Sequence, residues 1–102
     1  GPKVHVIPVE KLEYVEAQDD YVLLKSESGK HLKQQTISGL EGSLDPSRFV
    51  RLHRSYIVHL ERVVKIEPYS KDSRVAILRD GTRLPVSRAG YARLSALLGE
   101  RK

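Results

Sequence analysis

Residues 75–88 of the chain read VAILRDGTRLPVSR, and they contain the strongest local structural signal of the sequence. Asp80-Gly81 stands between two apolar segments, and this dipeptide favours the tight turn of a β-hairpin. Directly after the second segment, Ser87 is a suitable N-cap for a helix whose apolar stripe runs from Tyr91 to Leu98, and Gly99 stands where a C-cap is expected. The stretch therefore predicts a hairpin followed by a C-terminal helix.

Upstream of this hairpin, short segments of β-strand character follow one another with polar turns between them. They are Val4–Ile7, Leu12–Ala17, Tyr21–Lys25, His31–Gln35, Phe49–Arg54, Tyr56–Val58 and Val64–Glu67. An apolar stripe from Ile37 to Leu44 has a helical period instead; Thr36 or Ser38 can cap its start, and Asp45-Pro46 stops it. The sequence predicts a mainly β (α+β) domain of short antiparallel strands with one short mid-chain helix and a C-terminal helix.

The length and composition indicate one globular domain. The chain has 102 residues, of which 39% are hydrophobic. Gly1-Pro2 has the character of a scar left by tag removal, so we assign the domain to residues 3–102. Without cysteine, disulfides and thiolate metal sites are not possible. No apolar run approaches the length of about 20 residues that a membrane helix needs, so we expect a cytoplasmic location and no membrane.

The charge is distributed unevenly along the chain. Residues 1–50 carry six Lys/Arg against eight Asp/Glu, whereas residues 51–102 carry twelve against five. Nine of those twelve cations are arginine, whose planar guanidinium matches phosphate oxygens and the edge of guanine. This balance favours nucleic acid as a partner, although many proteins have a basic, solvated surface.

Catalytic and metal sites are not expected. The histidines lack the spacing of metal ligands; His53 and His59 would share a strand face, but no third ligand stands at a supporting position. Asp19-Asp20 lies in an exposed turn, without an apolar pocket to raise a pKa. No nucleophile elbow surrounds Ser55, and no glycine-rich phosphate loop is present. We therefore predict no enzyme, no metal and no cofactor.

The segment around His53 contains the candidate binding residues. Arg51, His53 and Ser55 would share one strand face. The alternative to a binding role is a structural one, in which Arg51 and His53 hydrogen-bond to neighbouring loops. For His53 the structural role is favoured. Arg54 should point outward because an unpaired arginine is costly to bury. Arg88 should project from a helix N-terminus, where backbone N–H groups also favour phosphate.

Three segments together resemble the LytTR family, the output domain of many bacterial response regulators. They are Leu12–Ala17 followed by Asp20-Tyr21-Val22, then Phe49–Val58, and Leu84–Arg88. Their order and spacing hold from about Val6 to Leu98, which is nearly the whole chain. The resemblance implies an elongated set of small antiparallel sheets. It also implies that loops, rather than a recognition helix, enter successive major grooves on one face of bent DNA.

The resemblance also implies roles for individual residues. The family's base-reading loops fall at Asp20, Arg54 and Arg88, and its phosphate contacts fall at Lys33, Gln35, Ser55 and Ser87. Family members carry an N-terminal receiver domain, dimerise on DNA and bind direct-repeat operators. Asp20 departs from the family, which usually has Asn or His there. Asp20 either accepts a hydrogen bond from cytosine or makes no base contact, in which case Tyr21 or Gln18 takes its place.

Two other functions compete with sequence-specific binding of duplex DNA. One is a protein-interaction or ligand-sensing β domain that does not bind nucleic acid; the arginine-rich second half argues against it. The other is binding of single-stranded nucleic acid, which needs aromatic stacking platforms. One Phe and five Tyr, several of them expected in the core, provide few such platforms.

Overall fold

The structure is a computed structural model that describes the backbone of residues 8–100 and the side chains of residues 8–99. The expected strand over Val4–Ile7 and the expected scar at Gly1-Pro2 lie outside the described residues. Short 3-10 helices occupy Val9–Lys11 and Leu60–Arg62. The strands are β1 Leu12–Gln18, β2 Tyr21–Ser26, β3 Gly29–Gln34, β4 Phe49–His53, β5 Tyr56–His59, β6 Val63–Ser70, β7 Ser73–Leu78 and β8 Arg83–Val86. The α-helices are α1 Ile37–Glu41 and α2 Arg88–Glu100.

The strands form two antiparallel sheets. The larger has five strands in the order β3-β2-β1-β5-β4, and the smaller has three in the order β6-β7-β8. The molecule measures 50 × 28 × 25 Å along its principal axes and is therefore elongated. These features confirm the predicted fold class.

Strands β1, β4 and β5 of the larger sheet are covered on both faces, each face with its own hydrophobic core, whereas β3 is mostly exposed. Alternate residues of a strand point to opposite faces, so neighbours such as Tyr14 and Val15 belong to different cores. One core lies against α1 and contains Leu12, Val15, Val22, Ile37, Leu40, Phe49 and Ile57. The other joins the two sheets and α2 through Tyr14, Val50, Leu52, Val58, Leu60, Ala76, Leu78, Leu84, Val86 and Leu94. This arrangement holds the ends of β1, β4 and β5 in a rigid frame.

Turn and cap signals of the sequence are present with two differences. The amide N–H of Gly39 donates to the Thr36 hydroxyl, so Thr36 is the N-cap of α1. Gly81 has φ +90° in the β7–β8 turn, a conformation that favours glycine. Helix α1 ends at Glu41, before the expected stop, because Gly39 and Gly42 weaken helix propensity over so short a segment. The expected C-cap at Gly99 is wrong, since α2 continues through it.

Candidate nucleic-acid interface

Four loop segments meet at one end of the five-stranded sheet. The β1–β2 turn and the end of β3 are adjacent because Tyr21 pairs with Gln34. The β4–β5 turn follows, since the amide of Ala17 donates to the carbonyl of Ser55 at 2.8 Å. The start of α2 lies beside β4, where the amide of Ser87 donates to the carbonyl of Leu52 at 2.9 Å. We call this end of the sheet the loop edge; it comprises Lys33–Gln35, Asp19–Tyr21, Arg54-Ser55 and Ser87-Arg88.

The loop edge brings together the seven residues to which the family resemblance assigns DNA contacts. Neighbouring strands lie about 4.8 Å apart, so the four intervals from β3 to β4 cover about 19 Å, and α2 adds about 10 Å. The order along the edge is Lys33 and Gln35, then Asp20, then Arg54 and Ser55, then Ser87 and Arg88. Residues far apart in sequence thus form one continuous surface.

Arg54 occupies an exposed turn at the middle of this edge. Strand β4 ends at His53, and its pairing with β5 is irregular between Arg51 and His53. Arg54 and Ser55 then form the turn itself. The expectation that Arg51, His53 and Ser55 share a strand face is therefore wrong, because the bulge and the turn break the alternation.

His53 stabilises the β4–β5 turn through a side-chain hydrogen bond. Its Nδ1 accepts a hydrogen bond from the amide of Ser55 at 3.1 Å, and its ring is half-buried. Burial, with smaller contributions from the positive charges of Arg54 and Arg51, lowers the pKa of His53 below its ordinary 6.5. A neutral imidazole that accepts from the backbone is consistent with the structural role favoured for this residue.

Arg88 is the first residue of α2 and is exposed. The preceding Ser87 caps the helix: its hydroxyl accepts from the amide of Gly90 at 3.0 Å and donates to the carbonyl of Leu52 at 3.3 Å. A Cβ added to Gly90 would lie 1.8 Å from the carbonyl oxygen of Leu52, so α2 contacts the backbone of β4 directly. The start of α2, and with it Arg88, is fixed against the strand that leads to Arg54.

The remaining candidates differ in exposure. Asp20 is exposed in the β1–β2 turn, next to Asp19, whose φ is 53°. The side chain of Tyr21, which follows, is 44% exposed. Lys33 is exposed opposite Val22 on β3. Gln35 is half-buried, and its amide oxygen has no hydrogen-bond partner within the described part of the chain. The turn therefore presents a carboxylate and an aromatic ring, and β3 presents an ammonium group.

The arginines near the loop edge divide into two groups. Arg51 donates to the Glu41 carboxylate at 2.7 Å, and Arg93 donates to the carbonyl of Arg51 at 3.2 Å. Among residues 8–99, the guanidinium groups of Arg54 and Arg88 make neither a hydrogen bond nor an ion pair. Sequence reasoning missed the roles of Glu41 and Arg93, which depend on long-range contacts that no local pattern encodes.

A cleft of about 450 Å³ opens beside the loop edge on the three-stranded sheet. His53 and Ser87 border it on the side of the loop edge. Its other lining residues are Tyr69, Ser73, Arg74, Val75, Arg83, Pro85 and Val86. Arg74 is held in place by the ring of Tyr91, with its guanidinium carbon 3.7 Å from the ring centroid. The basic surface thus continues past the start of α2.

His53 and His59 are not brought together. His59 pairs with Phe49 at the opposite end of the β4–β5 hairpin, about 13 Å along the strand from His53. Its ring is buried, stacks on Phe49, and shares a hydrogen bond of 3.1 Å between Nδ1 and the carbonyl of Leu12. The idea that the two histidines share a face is wrong. Residues 8–99 contain no group of three His, Asp or Glu side chains placed to hold a metal.

Comparisons with known proteins agree on one family. A family model described as the LytTr DNA-binding domain matches residues 2–99. The sensory transduction protein LytT of Bacillus subtilis is 29% identical over 98 residues, which are 96% of this chain and 41% of that protein. The transcriptional regulatory protein YpdB of Escherichia coli K12 is 28% identical over 88 residues, which are 85% of this chain and 36% of that protein. The chain thus spans about two fifths of the relatives it matches.

A solved structure shows the same architecture. It is a LytTr DNA-binding domain from Bacillus cereus, with a TM-score of 0.83 and 28% sequence identity. The match covers 91% of this chain and 85% of that one. In the part of the chain that the structure describes, none of the helices has the length and apolar character needed to cross a bilayer.

Proposed function

The chain belongs to the LytTR family of DNA-binding domains, and we propose that it binds duplex DNA sequence-specifically through the loop edge. The observation that carries the proposal is the pair of exposed, unpaired guanidinium groups at neighbouring loops. Among the described residues 8–99, Arg54 and Arg88 have no hydrogen-bond or ion-pair partner, whereas each nitrogen of the Arg51 guanidinium donates inside the protein. Exposed arginines on a rigid frame are suited to read base edges.

Arg54 and Arg88 are the proposed base-reading residues, and guanine O6 and N7 are their best acceptors. The loop edge and the adjoining helix cover about 30 Å in all, from the spacing of strands and the width of a helix. This length is close to the spacing of about 34 Å between successive major grooves on one face of DNA. The β1–β2 turn with Asp20 and the start of α2 with Arg88 lie toward opposite ends of the edge and therefore suit insertion into successive grooves of a bent duplex, with Arg54 between them.

Lys33, Gln35, Ser55 and Ser87 are the proposed phosphate contacts. Lys33 is exposed and suited to the role as it stands. The hydroxyl of Ser87 already donates to Leu52, so phosphate binding there has to exchange that hydrogen bond or use the free N–H groups at the start of α2. For Gln35 to bind phosphate, its side-chain amide has to rotate toward the solvent.

The proposal includes two alternatives for Asp20: it contacts a base, or a neighbouring residue does so in its place. Its carboxylate is exposed and suits a hydrogen bond from the amino group of cytosine. The exposed ring of Tyr21 and the side chain of Gln18 are the alternatives at the same turn. A carboxylate near phosphates is repelled, so an Asp20→Asn variant should bind specific and shuffled DNA alike more tightly if no cytosine contact exists.

The proposed setting is the cytoplasmic output domain of a bacterial transcription regulator of the response-regulator type. The relatives named LytT and YpdB are longer than this chain, which leaves room for the proposed N-terminal receiver domain. We further propose that the full-length protein dimerises on DNA at direct repeats and that the domain needs no cofactor.

The proposal is tested by selecting bound duplexes from a random pool. Affinity is then measured over a salt series for the selected duplex, a shuffled duplex of equal composition and the single strand. We expect one enriched motif and binding to the selected duplex about 1000-fold tighter or more than to the shuffled one. Equal affinity for the two duplexes contradicts sequence specificity, and preference for the single strand favours the stacking alternative. Absence of binding to all three favours a protein- or ligand-binding domain.

A further inference from the structure

The turn that carries Arg54 is held by the side chain of Arg51. The Nε of Arg51 donates to the carbonyl of His53 at 2.9 Å, and its Nη2 donates to the carbonyl of Arg54 at 2.5 Å. Its Nη1 donates to the carboxylate of Glu41, the last residue of α1, at 2.7 Å. With 13% of its side chain exposed, Arg51 is enclosed beneath the turn rather than displayed on it.

Both backbone groups of Ser55 in this turn are hydrogen-bonded as well. The amide of Ser55 donates to Nδ1 of His53, and the carbonyl of Ser55 accepts from the amide of Ala17. Together with the two carbonyls bound by Arg51, these bonds fix the backbone on both sides of Arg54. Within the described residues, the side chain of Arg54 makes no hydrogen bond or ion pair, so the backbone of the turn is fixed while the Arg54 guanidinium is available.

Arg51 is itself fixed from both helices. Glu41 of α1 binds its guanidinium, and Arg93 of α2 donates to its carbonyl at 3.2 Å. Only the planar guanidinium has donors in the geometry needed to bind two carbonyls and a carboxylate at once; a lysine ammonium is a point charge on a flexible stem. The partner carboxylate also offsets the positive charge of Arg51.

We propose that Arg51 is a positioning residue, which, with Glu41, sets the shape of the turn that presents Arg54 to DNA and does not contact DNA itself. The inference rests on the proposed function of the loop edge. A preset turn reduces the conformational entropy lost when Arg54 binds, so it raises affinity for the correct site through Arg54 alone. Arg51 therefore governs sequence preference although each nitrogen of its guanidinium already donates inside the protein.

The test is a double-mutant cycle between Arg51 and Arg54, with Arg51→Lys, Arg54→Ala and the double variant. Binding to the selected and shuffled duplexes is measured over a salt series, beside the melting temperature. Arg51→Lys keeps the charge, so we expect unchanged binding to the shuffled duplex and an unchanged salt slope. Binding to the selected duplex should weaken by no more than Arg54→Ala weakens it, which is about 5- to 150-fold. In the Arg54→Ala background, Arg51→Lys should cause no further loss.

Additive losses in this cycle contradict the proposal, because they show that Arg51 acts independently of Arg54. Equal losses on both duplexes, with a salt slope that falls by about 1 in an Arg51→Ala variant, show instead that Arg51 binds phosphate. If wild-type protein does not distinguish the two duplexes, it is the proposed function that fails.

Glu41→Ala provides a second variant that should fold, since 44% of the Glu41 side chain is exposed. It releases Arg51 and removes a negative charge, so binding to the shuffled duplex should become tighter. If Arg51 positions the turn, the ratio of selected to shuffled affinity falls. A ratio that stays the same or rises overturns the proposal, including in the case that Arg51→Lys proves too unstable to assay.

Discussion

Replacing Gly90 with alanine should destabilise the domain strongly, although alanine is the better helix former. The new Cβ would lie 1.8 Å from the carbonyl oxygen of Leu52, and real Cβ contacts stay above 3.0 Å, so the start of α2 has to retreat by at least 1.2 Å. That movement stretches both hydrogen bonds from Ser87 to the same carbonyl, which now measure 2.9 and 3.3 Å.

The net effect follows from three contributions. Overpacking costs about 1–3 kcal/mol, the two weakened hydrogen bonds cost about 1 kcal/mol each, and the gain in helix propensity returns about 1 kcal/mol. The sum is a loss of about 2–4 kcal/mol, or about 10–30 °C in melting temperature for a domain of this size. Because α2 carries Arg88, the same shift should disturb its position relative to Arg54.

Thermal unfolding followed by circular dichroism measures this effect, with Gly99→Ala as the matched control in the same helix. Among the described residues, no atom lies within 4 Å of a Cβ added at Gly99, so this variant should melt at the wild-type temperature or slightly above it. If Gly90→Ala melts no lower than Gly99→Ala, the close contact between α2 and β4 does not exist as described.

Three further predictions concern the loop edge and the histidines. Lys33→Ala should weaken binding to all duplexes equally and lower the salt slope by about 1; an unchanged slope would show that Lys33 does not bind phosphate. Arg54→Ala should weaken binding to the selected duplex without changing the melting temperature. His53→Ala should lower the melting temperature by several degrees, because the free energy of unfolding falls by about 1–2 kcal/mol; the reverse pattern would exchange the roles of the two residues. Burial lowers the pKa of His53 and His59 in the folded state, so the unfolded chain binds more protons and the melting temperature should fall as pH drops below 6.5; calorimetry between pH 8 and 5 that finds no fall contradicts this.

Local sequence signals predicted the elements that depend on local chemistry. The Asp80-Gly81 turn and the Thr36 and Ser87 caps are all present, because each is decided by residues within a few positions. Gly99 shows the limit of such signals, since a glycine near a helix end is a C-cap only if the backbone turns there.

Contacts between distant segments of the chain could not be predicted from the sequence. The ion pair joins Arg51 of β4 to Glu41 of α1, and no local pattern in either segment predicts this contact. The bulge before His53 changed which residues share a face, and alternation alone does not reveal a bulge. Gly90 did carry a signal, because a glycine within the first turn of a helix suggests a close backbone approach, but the sequence does not say to which strand.

The most direct test of the account is the affinity of Arg88→Ala for the selected and the shuffled duplex. If Arg88 reads a base from the start of α2, the variant should lose about 1–3 kcal/mol on the selected duplex, and reselection should relax preference at one base pair. Binding to the shuffled duplex should change much less. An equal loss on the two duplexes, with the selected motif unchanged, would contradict base reading from the loop edge.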